Sequence, residues 1–386
     1  MSNLLDKASV ILTPTAYNTS EALCVKPSDG TGDFDFSRAT EATRINSLGL
    51  VETIGINLPR INYEGGCGSW LFEPQSTNLF DYSEDLGNSY WSDFGTEVSR
   101  NLNASQINPS GTAGSYELEG VGGLRRFGIF LTVTPSTDYT LSFYAKNIDA
   151  TLLKALFTNS SITTYTYTSE VNTTDWSRVE INFTTLTGTS TSVQILRDLP
   201  IGESAFFWGL MLEEQSYATS YIPSNGGQVT RNKDLCNNGA TGTGLINSTE
   251  GVLYAEIAAL ANDATNRVIS ISDGTASQRI SIVLGTSSNQ IRGQVLSSGT
   301  SFDFSTTSYN TLNNNKIAIS YKLNDFSMWI NGTKVSTDTS GNTPVGMNTI
   351  SFNEGAATLD YFGKTKCIAV WKEALTDAEL TSLTTI

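Results

Sequence analysis

Aromatic and carboxylate side chains carry what chemistry this sequence can offer, because it contains no histidine. Without an imidazole there is no Ser-His-Asp or Cys-His nucleophile, no His-ligated zinc and no histidine pH switch. Serine and threonine are plentiful, yet no S-x-x-K motif stands beside partners that would support a lysine base. No G-x-G-x-x-G or Walker A loop follows a strand-like run, which sets nucleotide chemistry aside. Ring stacking remains. The apolar face of a pyranose packs on an indole or phenol with polar groups around it, and Trp91, Tyr165, Tyr167 and Trp176 are candidates for this in the middle of the chain. Tyr165 and Tyr167 share one face of a Thr-Tyr-Thr-Tyr-Thr run and would form a two-ring stripe; for them, stacking and core readings stay open. Core is the commoner fate of the tryptophans: Trp176 precedes the Val179, Ile181, Phe183 alternation, and Trp208 sits in an apolar run. Trp329 alternates outward from Phe326, Met328 and Ile330, so it reads as an exposed indole available to a ligand or a neighbouring subunit.

The carboxylates form no recognisable catalytic or metal set. In Asp29-Gly-Thr-Gly-Asp-Phe-Asp35 an EF-hand would place Gly sixth and Glu twelfth, whereas Phe34 and Thr40 stand there, so the run reads as a polar turn. Glu250 and Glu256 are six apart with apolar residues between them, which suits edge and solvent positions. Cys24, Cys67, Cys236 and Cys367 lie far apart with no CxxC pair, so buried free thiols are expected. With 23 basic against 38 acidic residues the net charge is −15, which argues against duplex nucleic acid or an anionic membrane as partner. Asn-x-Ser/Thr sequons such as Asn159-Ser-Ser follow from composition alone.

The elements that must position these residues are strands. At roughly 150 residues per domain, 386 residues allow two or three modules, and 39% hydrophobic content is too high for a disordered chain. Apolar residues recur at period two in short runs bounded by Gly, Asn, Asp, Ser and Pro, the pattern of half-buried antiparallel strands. Tyr139, Leu141, Phe143 and Ala145 form one such run, and Val179, Ile181 and Phe183 another. Ile317, Ile319 and Tyr321 lead through Leu323-Asn324-Asp325 into Phe326, Met328 and Ile330, and Asn331-Gly332 then turns the chain into Thr333–Ser336. A single short helix is expected at the C-terminus, where Thr376 and Glu379 have capping-box spacing and Leu375 with Leu380 can form a staple; it would plug one end of the last sheet. The N-terminal twenty residues lack the features of a signal peptide, and no apolar run is long enough to span a bilayer.

Three segments are familiar together. Phe36-Ser-Arg-Ala-Thr-Glu-Ala-Thr-Arg-Ile-Asn-Ser-Leu-Gly-Leu-Val-Glu, Leu58-Pro-Arg-Ile-Asn-Tyr and Leu71-Phe-Glu-Pro-Gln-Ser-Thr-Asn-Leu resemble a segment of virion proteins of tailed bacteriophages. Tyr82-Ser-Glu-Asp-Leu, Tyr90-Trp91 and the ending Phe207-Trp-Gly-Leu-Met-Leu-Glu-Glu-Gln-Ser-Tyr-Ala-Thr-Ser-Tyr-Ile-Pro look like the carbohydrate-binding-module-like jelly rolls of phage head and tail appendages. From about Glu250, the Lys316–Val335 hairpins and the Trp371-Lys-Glu-Ala-Leu-Thr-Asp-Ala-Glu-Leu ending are similar to concanavalin A-like, laminin-G-type jelly rolls. The E-x-D-x-x-E triplet of concanavalin A-like glucanases is missing, as is a lectin-type metal cluster, so the resemblance implies architecture and virion context without a catalytic site.

The expected fold is all-β: an extended arm over residues 1–75, a jelly-roll sandwich over 76–230, a linker at 231–246 and a second jelly roll over 247–386. The expected role is a non-enzymatic structural and adhesive component of a phage virion, displaying Tyr165, Tyr167, Trp329 and Trp91 toward a host-surface glycan. Other virion proteins would be partners, and the resemblance favours a homotrimer. A tail depolymerase or a purely structural capsid or tail protein is the alternative. No cofactor is expected beyond a structural calcium in the middle jelly roll, which stays open.

Overall fold

A computed structural model describes residues 4–94, 97–242 and 244–386. The chain is all-β with antiparallel pairing throughout the named strands, as the period-two alternation requires, and it divides into two units. One comprises residues 42–53 and 75–231; the other comprises 1–41, 54–74 and 232–386, so the first is inserted into the sequence of the second.

The inserted unit is a sandwich. Its five-stranded sheet runs Val98–Ile107, Ala113–Gly120, Ser204–Glu213, Asp138–Asn147, Ser177–Thr184, and its four-stranded sheet runs Phe127–Thr132, Ser190–Leu196, Lys154–Phe157, Thr164–Thr166. The expected alternation holds: Tyr139, Leu141, Phe143 and Ala145 pair with the Ser177–Thr184 strand, and all four are buried in the core between the sheets. The opposite face is covered as well. All ten residues of Ser204–Glu213 are buried, because Trp208 and Met211 leave the main core and pack with Tyr144, Tyr221, Ile222 and Val51. Gly209 makes this switch. It adopts φ +65 beside a register shift against Ser142 and Tyr144, so Phe207 and Leu210, three apart, both reach the core while Trp208 turns the other way.

In the second unit an eight-stranded sheet contains, in order, Thr333–Asp338, Asp325–Ile330, Asn315–Lys322, Glu250–Ala259, Gly363–Trp371, Ser69–Phe72 and Ile61–Asn62, with Val10–Leu12 also paired to Gly363–Trp371. It encloses a core with a five-stranded sheet ordered Thr300–Thr306, Ile291–Ser297, Gln278–Leu284, Arg267–Ser272, Thr349–Ser351. The meander forms as read: Ile317 opposes Ile330, Tyr321 opposes Phe326, and Asn331 and Gly332 turn at φ 49 and 82. Glu250–Ala259 is a central strand, so Glu250 and Glu256 are not edge residues; they stand opposite Lys322 and Lys316.

The N-terminal residues have no core of their own and do dock, but on this same chain. Leu12, Phe34, Trp70 and Phe72 are members of the second unit's core, while residues 42–53 belong to the other unit. The expected arm is therefore divided between the two. The expected linker is also structured: Leu235–Asn237 pairs with Phe34–Ser37, and Cys236 is buried. Its Asn and Gly residues are turn residues, with Asn238, Gly242 and Gly244 at positive φ, and composition alone does not separate a tight turn from a flexible spacer.

Charged residues of the segments from Phe36 to Leu79 help to close the second unit. Asp234, with its side chain fully buried, accepts from Arg38 Nη1 at 2.9 Å, Arg60 Nη2 at 2.5 Å and the Glu73 backbone N–H at 2.9 Å. Arg60 also pairs with Glu73 at 2.7 Å, and Arg38 donates to the carbonyls of Thr40 and Gly55. Burial pulls the Arg60 pKa down, but Asp234 and Glu73 outweigh it and hold the guanidinium above its ordinary value.

The C-terminal helix Asp377–Thr384 carries the expected capping box between Thr376 and Glu379. It does not plug the end of a sheet. Leu375 and Leu380 are buried with Trp329, Trp371, Tyr254 and Ala318, on the side of the eight-stranded sheet away from its core. All four cysteines are free; Cys24 and Cys236 are buried and Cys367 partly so, whereas Cys67 is exposed, contrary to the expectation.

Candidate functional site

Burial decides the fate of the aromatic candidates. Trp91 is 2% exposed, packs on Phe80 and Phe127, and donates its indole N–H to the Tyr82 carbonyl. Tyr167 is fully buried against Phe143 with its hydroxyl on the Ile195 carbonyl, so the two-ring stripe with Tyr165 does not form. Tyr165 remains partly exposed on a sheet-edge strand, its hydroxyl donating to Glu170 Oε1 at 2.7 Å. Trp329 does alternate outward, but the C-terminal helix covers it and leaves 4% of its surface open. Trp176 is partly buried against Phe206 and Trp208 is buried, in line with their core reading. Three of the four candidate ligand contacts are thus structural. The Asp29 run is a polar turn, with Asp29 Oδ1 accepting from the backbone and hydroxyl of Thr31. Among the described residues no group of three or more His, Cys, Asp or Glu side chains converges as a metal site.

A concavity lies in the inserted unit, on residues that sequence reasoning had not joined. A cleft of about 270 Å³ is lined by Glu84, Asp85, Leu102, Asn108, Thr112 to Tyr116 and Trp208. A second recess of about 240 Å³, lined by Glu84, Asp85, Pro223, Ser224 and Asn225, adjoins it along the two carboxylates. The strands set this up directly. Tyr116 stands opposite Phe207, and the residues next to this pair, Ser115 and Trp208, both line the cleft. The Gly209 bulge then turns Trp208 away from the main core, and the Tyr82-Ser-Glu-Asp-Leu segment supplies the acids.

Two polar groups here lack a hydrogen bond of ordinary geometry. Ser115 is 2% exposed and its Oγ makes no hydrogen bond; Trp208 is 3% exposed and its Nε1 makes none within ordinary geometry. The indole N–H lies near the Glu84 carboxyl and helps stabilise its charge. Buried hydroxyl and indole groups normally find partners, so their persistence at a cleft marks a place where a ligand can supply them. Around them the network is closed. The Tyr221 hydroxyl lies 2.9 Å from Glu84 Oε1, and the Tyr116 hydroxyl donates to Asp85 Oδ1 at 2.6 Å. Partial burial pushes the Glu84 carboxyl above the usual carboxylate range, against those lowering contacts. Burial and the neighbouring Asp85 carboxylate likewise raise the Tyr116 phenol. Asn108 is self-satisfied: its amide donates to Thr112 Oγ1 and the Gly114 carbonyl, while its Oδ1 accepts from Ser110. The cleft therefore presents carboxylate acceptors, one indole donor, one hydroxyl and the apolar, exposed Leu102. That mixture suits a polyhydroxylated ring with an apolar face.

No protein-family profile matches this chain, and no curated protein sequence matches it. Solved structures show partial similarity. A CBM40 from the Ruminococcus gnavus IT-sialidase, bound to α2,3-sialyllactose, aligns at 13% identity over 36% of this chain and 84% of that one, with a TM-score of 0.32. Domain 4 of AbnA, a GH43 extracellular arabinanase from Geobacillus stearothermophilus in complex with arabinotriose, aligns at 14% identity over 44% and 82%, also at 0.32. The CBM22 tandem of Paenibacillus barcinonensis Xyn10C aligns at 10% identity over 81% and 96%, at 0.28. At these scores the sandwich architecture rests on the strand pairing itself. No helix among the described residues is long and apolar enough to cross a membrane.

Proposed function

We propose that this chain is a non-enzymatic, glycan-binding component of a tailed-phage particle, and that the inserted sandwich binds sugar in the Glu84, Asp85, Ser115, Trp208 cleft. The observation that carries the glycan reading is the buried Ser115 hydroxyl without a partner in the lining of an acidic, partly apolar recess. The virion context rests on the sequence segments. Arg38, Arg60 and Glu73 from those segments close on Asp234, so the segment is a folding element of the second unit, and attachment to the particle through the N-terminal region belongs to the same proposal. A homo-oligomer, with a trimer favoured, belongs to the same reading. A glycan array and host-polysaccharide pull-down on the intact chain test sugar binding, with Asp85→Asn expected to weaken the signal without abolishing it while retaining the wild-type circular dichroism. Mass spectrometry of purified particles tests the virion context, and light scattering tests the oligomer.

A depolymerase is the second reading, and one observation favours it: two carboxyl groups share the cleft, Glu84 with a raised pKa and Asp85 held by a phenol. A carboxyl with a raised pKa beside a second carboxyl is an arrangement used in glycoside hydrolysis. Release of reducing ends from a bound polysaccharide, lost in Glu84→Gln, would favour this reading over pure binding.

A further inference from the structure

Building on the glycan-binding reading, we infer that the cleft selects sugars that bring hydrogen-bond donors and no negative charge, that is neutral hexose or amino-sugar units, and rejects uronic and sialic acids. The inference follows from which groups are spent and which are free. Among the residues lining both recesses there is no lysine or arginine. Arg100, whose charge reaches Tyr116, lines neither recess and gives its Nη1 to the carbonyls of Leu86, Asn88 and Trp91, each at 3.2 Å. The phenol of Tyr116 donates to Asp85 and the Asn108 amide donates within its own loop. Among the described lining side chains the donors that remain are uncharged, namely the Ser115 hydroxyl, the Asn225 amide and the Trp208 N–H beside Glu84, against the carboxyl oxygens of Glu84 and Asp85.

A carboxylate needs two or more convergent donors, typically a bidentate arginine, to repay its desolvation. Here it would have uncharged donors and two like charges beside it. A sugar hydroxyl is both donor and acceptor: it can donate to a carboxylate while accepting from the indole. An ammonium at the same position adds charge attraction to the donation. Like-charge juxtaposition is the usual device by which a site rejects a near-isostere of its ligand.

The test is calorimetric titration of the full chain, in EDTA, with matched trisaccharides that differ at one group: neutral hexose, N-acetylhexosamine, free hexosamine and hexuronate. Neutral and amino sugars are expected to bind, the free amine at least as tightly as its N-acetyl form, and the uronate at least about tenfold more weakly. The Glu84→Gln/Asp85→Asn double variant should close that gap to within about threefold, whereas Ser115→Ala should weaken all ligands alike and leave the ratio unchanged. Equal or tighter uronate binding by the wild type overturns the selection rule while leaving glycan binding in place. So does a gap that survives the double variant, or uronate binding restored by calcium in place of EDTA. Binding of none of the four overturns the glycan reading itself, and this inference with it.

Discussion

Replacing Asp234 by Asn keeps the shape of the side chain and removes the charge on which two arginines converge. In the folded chain Arg38, Arg60, Glu73 and Asp234 form a neutral cluster, and the side chains of Arg38, Arg60 and Asp234 have no exposed surface. The substitution leaves two guanidinium groups and one carboxylate in that cluster. Breaking a buried pair from one side costs about 3–5 kcal/mol, because the remaining charge has been desolvated without its partner. Against a total stability of about 5–15 kcal/mol this is a large share. For a unit of this size, about 2–4 °C of Tm per kcal/mol gives a fall of roughly 6–20 °C. Urea unfolding monitored by circular dichroism, with calorimetry alongside, reads both quantities. The charge-balanced double variant Arg38→Met/Asp234→Asn should recover part of the loss, since an apolar group of similar volume carries no buried charge. A loss below about 1 kcal/mol in Asp234→Asn, or strict additivity in the double variant, would refute the electrostatic account and reduce the cluster to a set of replaceable contacts.

Gly209→Ala places a Cβ at φ +65 and 3.3 Å from the Tyr144 ring, so it should cost about 1–3 kcal/mol and weaken sugar binding together by shifting Trp208; unchanged stability would mean the bulge is not needed. Tyr167→Phe removes a buried hydroxyl from the Ile195 carbonyl and should cost about 1 kcal/mol with no effect on ligand affinity; a lost affinity would return Tyr167 to the site. Thr376→Ala should cost about 1 kcal/mol by removing the helix cap, and fraying should expose Trp329, read as a red shift in its fluorescence. Glu379 is held at about 2, below its usual 4.5, first by Lys7 and then by Thr376. A carboxyl whose folded pKa is depressed stabilises the fold above its unfolded value, so this contribution is complete above pH 4.5 and lost as pH falls toward 2. In Lys7→Met the folded pKa rises toward 4.5, so the acid-dependent loss of helix stability should be smaller and end at a higher pH, which titration of the Trp329 emission checks.

Local chemistry was legible wherever a few neighbouring residues decide it. Period two placed Tyr139, Leu141 and Phe143 in a core, Asn331-Gly332 fixed a turn, and Thr376 with Glu379 closed a cap, because strand faces, left-handed turns and caps are set by residues within a turn or two of each other. The absence of histidine chemistry needed no structure at all. The cleft was half legible: Glu84, Asp85 and Trp208 stand inside the segments that looked familiar, but only the register joins them to Ser115 and Tyr116.

Tertiary structure alone decided what covers each apolar face. Alternation says that Trp329 points outward, and it is silent about a helix some fifty residues later that buries it. Composition says that residues 231–246 are rich in turn formers, and it is silent about Asp234 being the counter-charge to Arg38 and Arg60. The reason is physical. Closing a long loop costs only logarithmically more than closing a short one, so distant segments can pair almost as readily as near ones. Their choice is made by packing and charge balance in three dimensions, which no window along the chain contains.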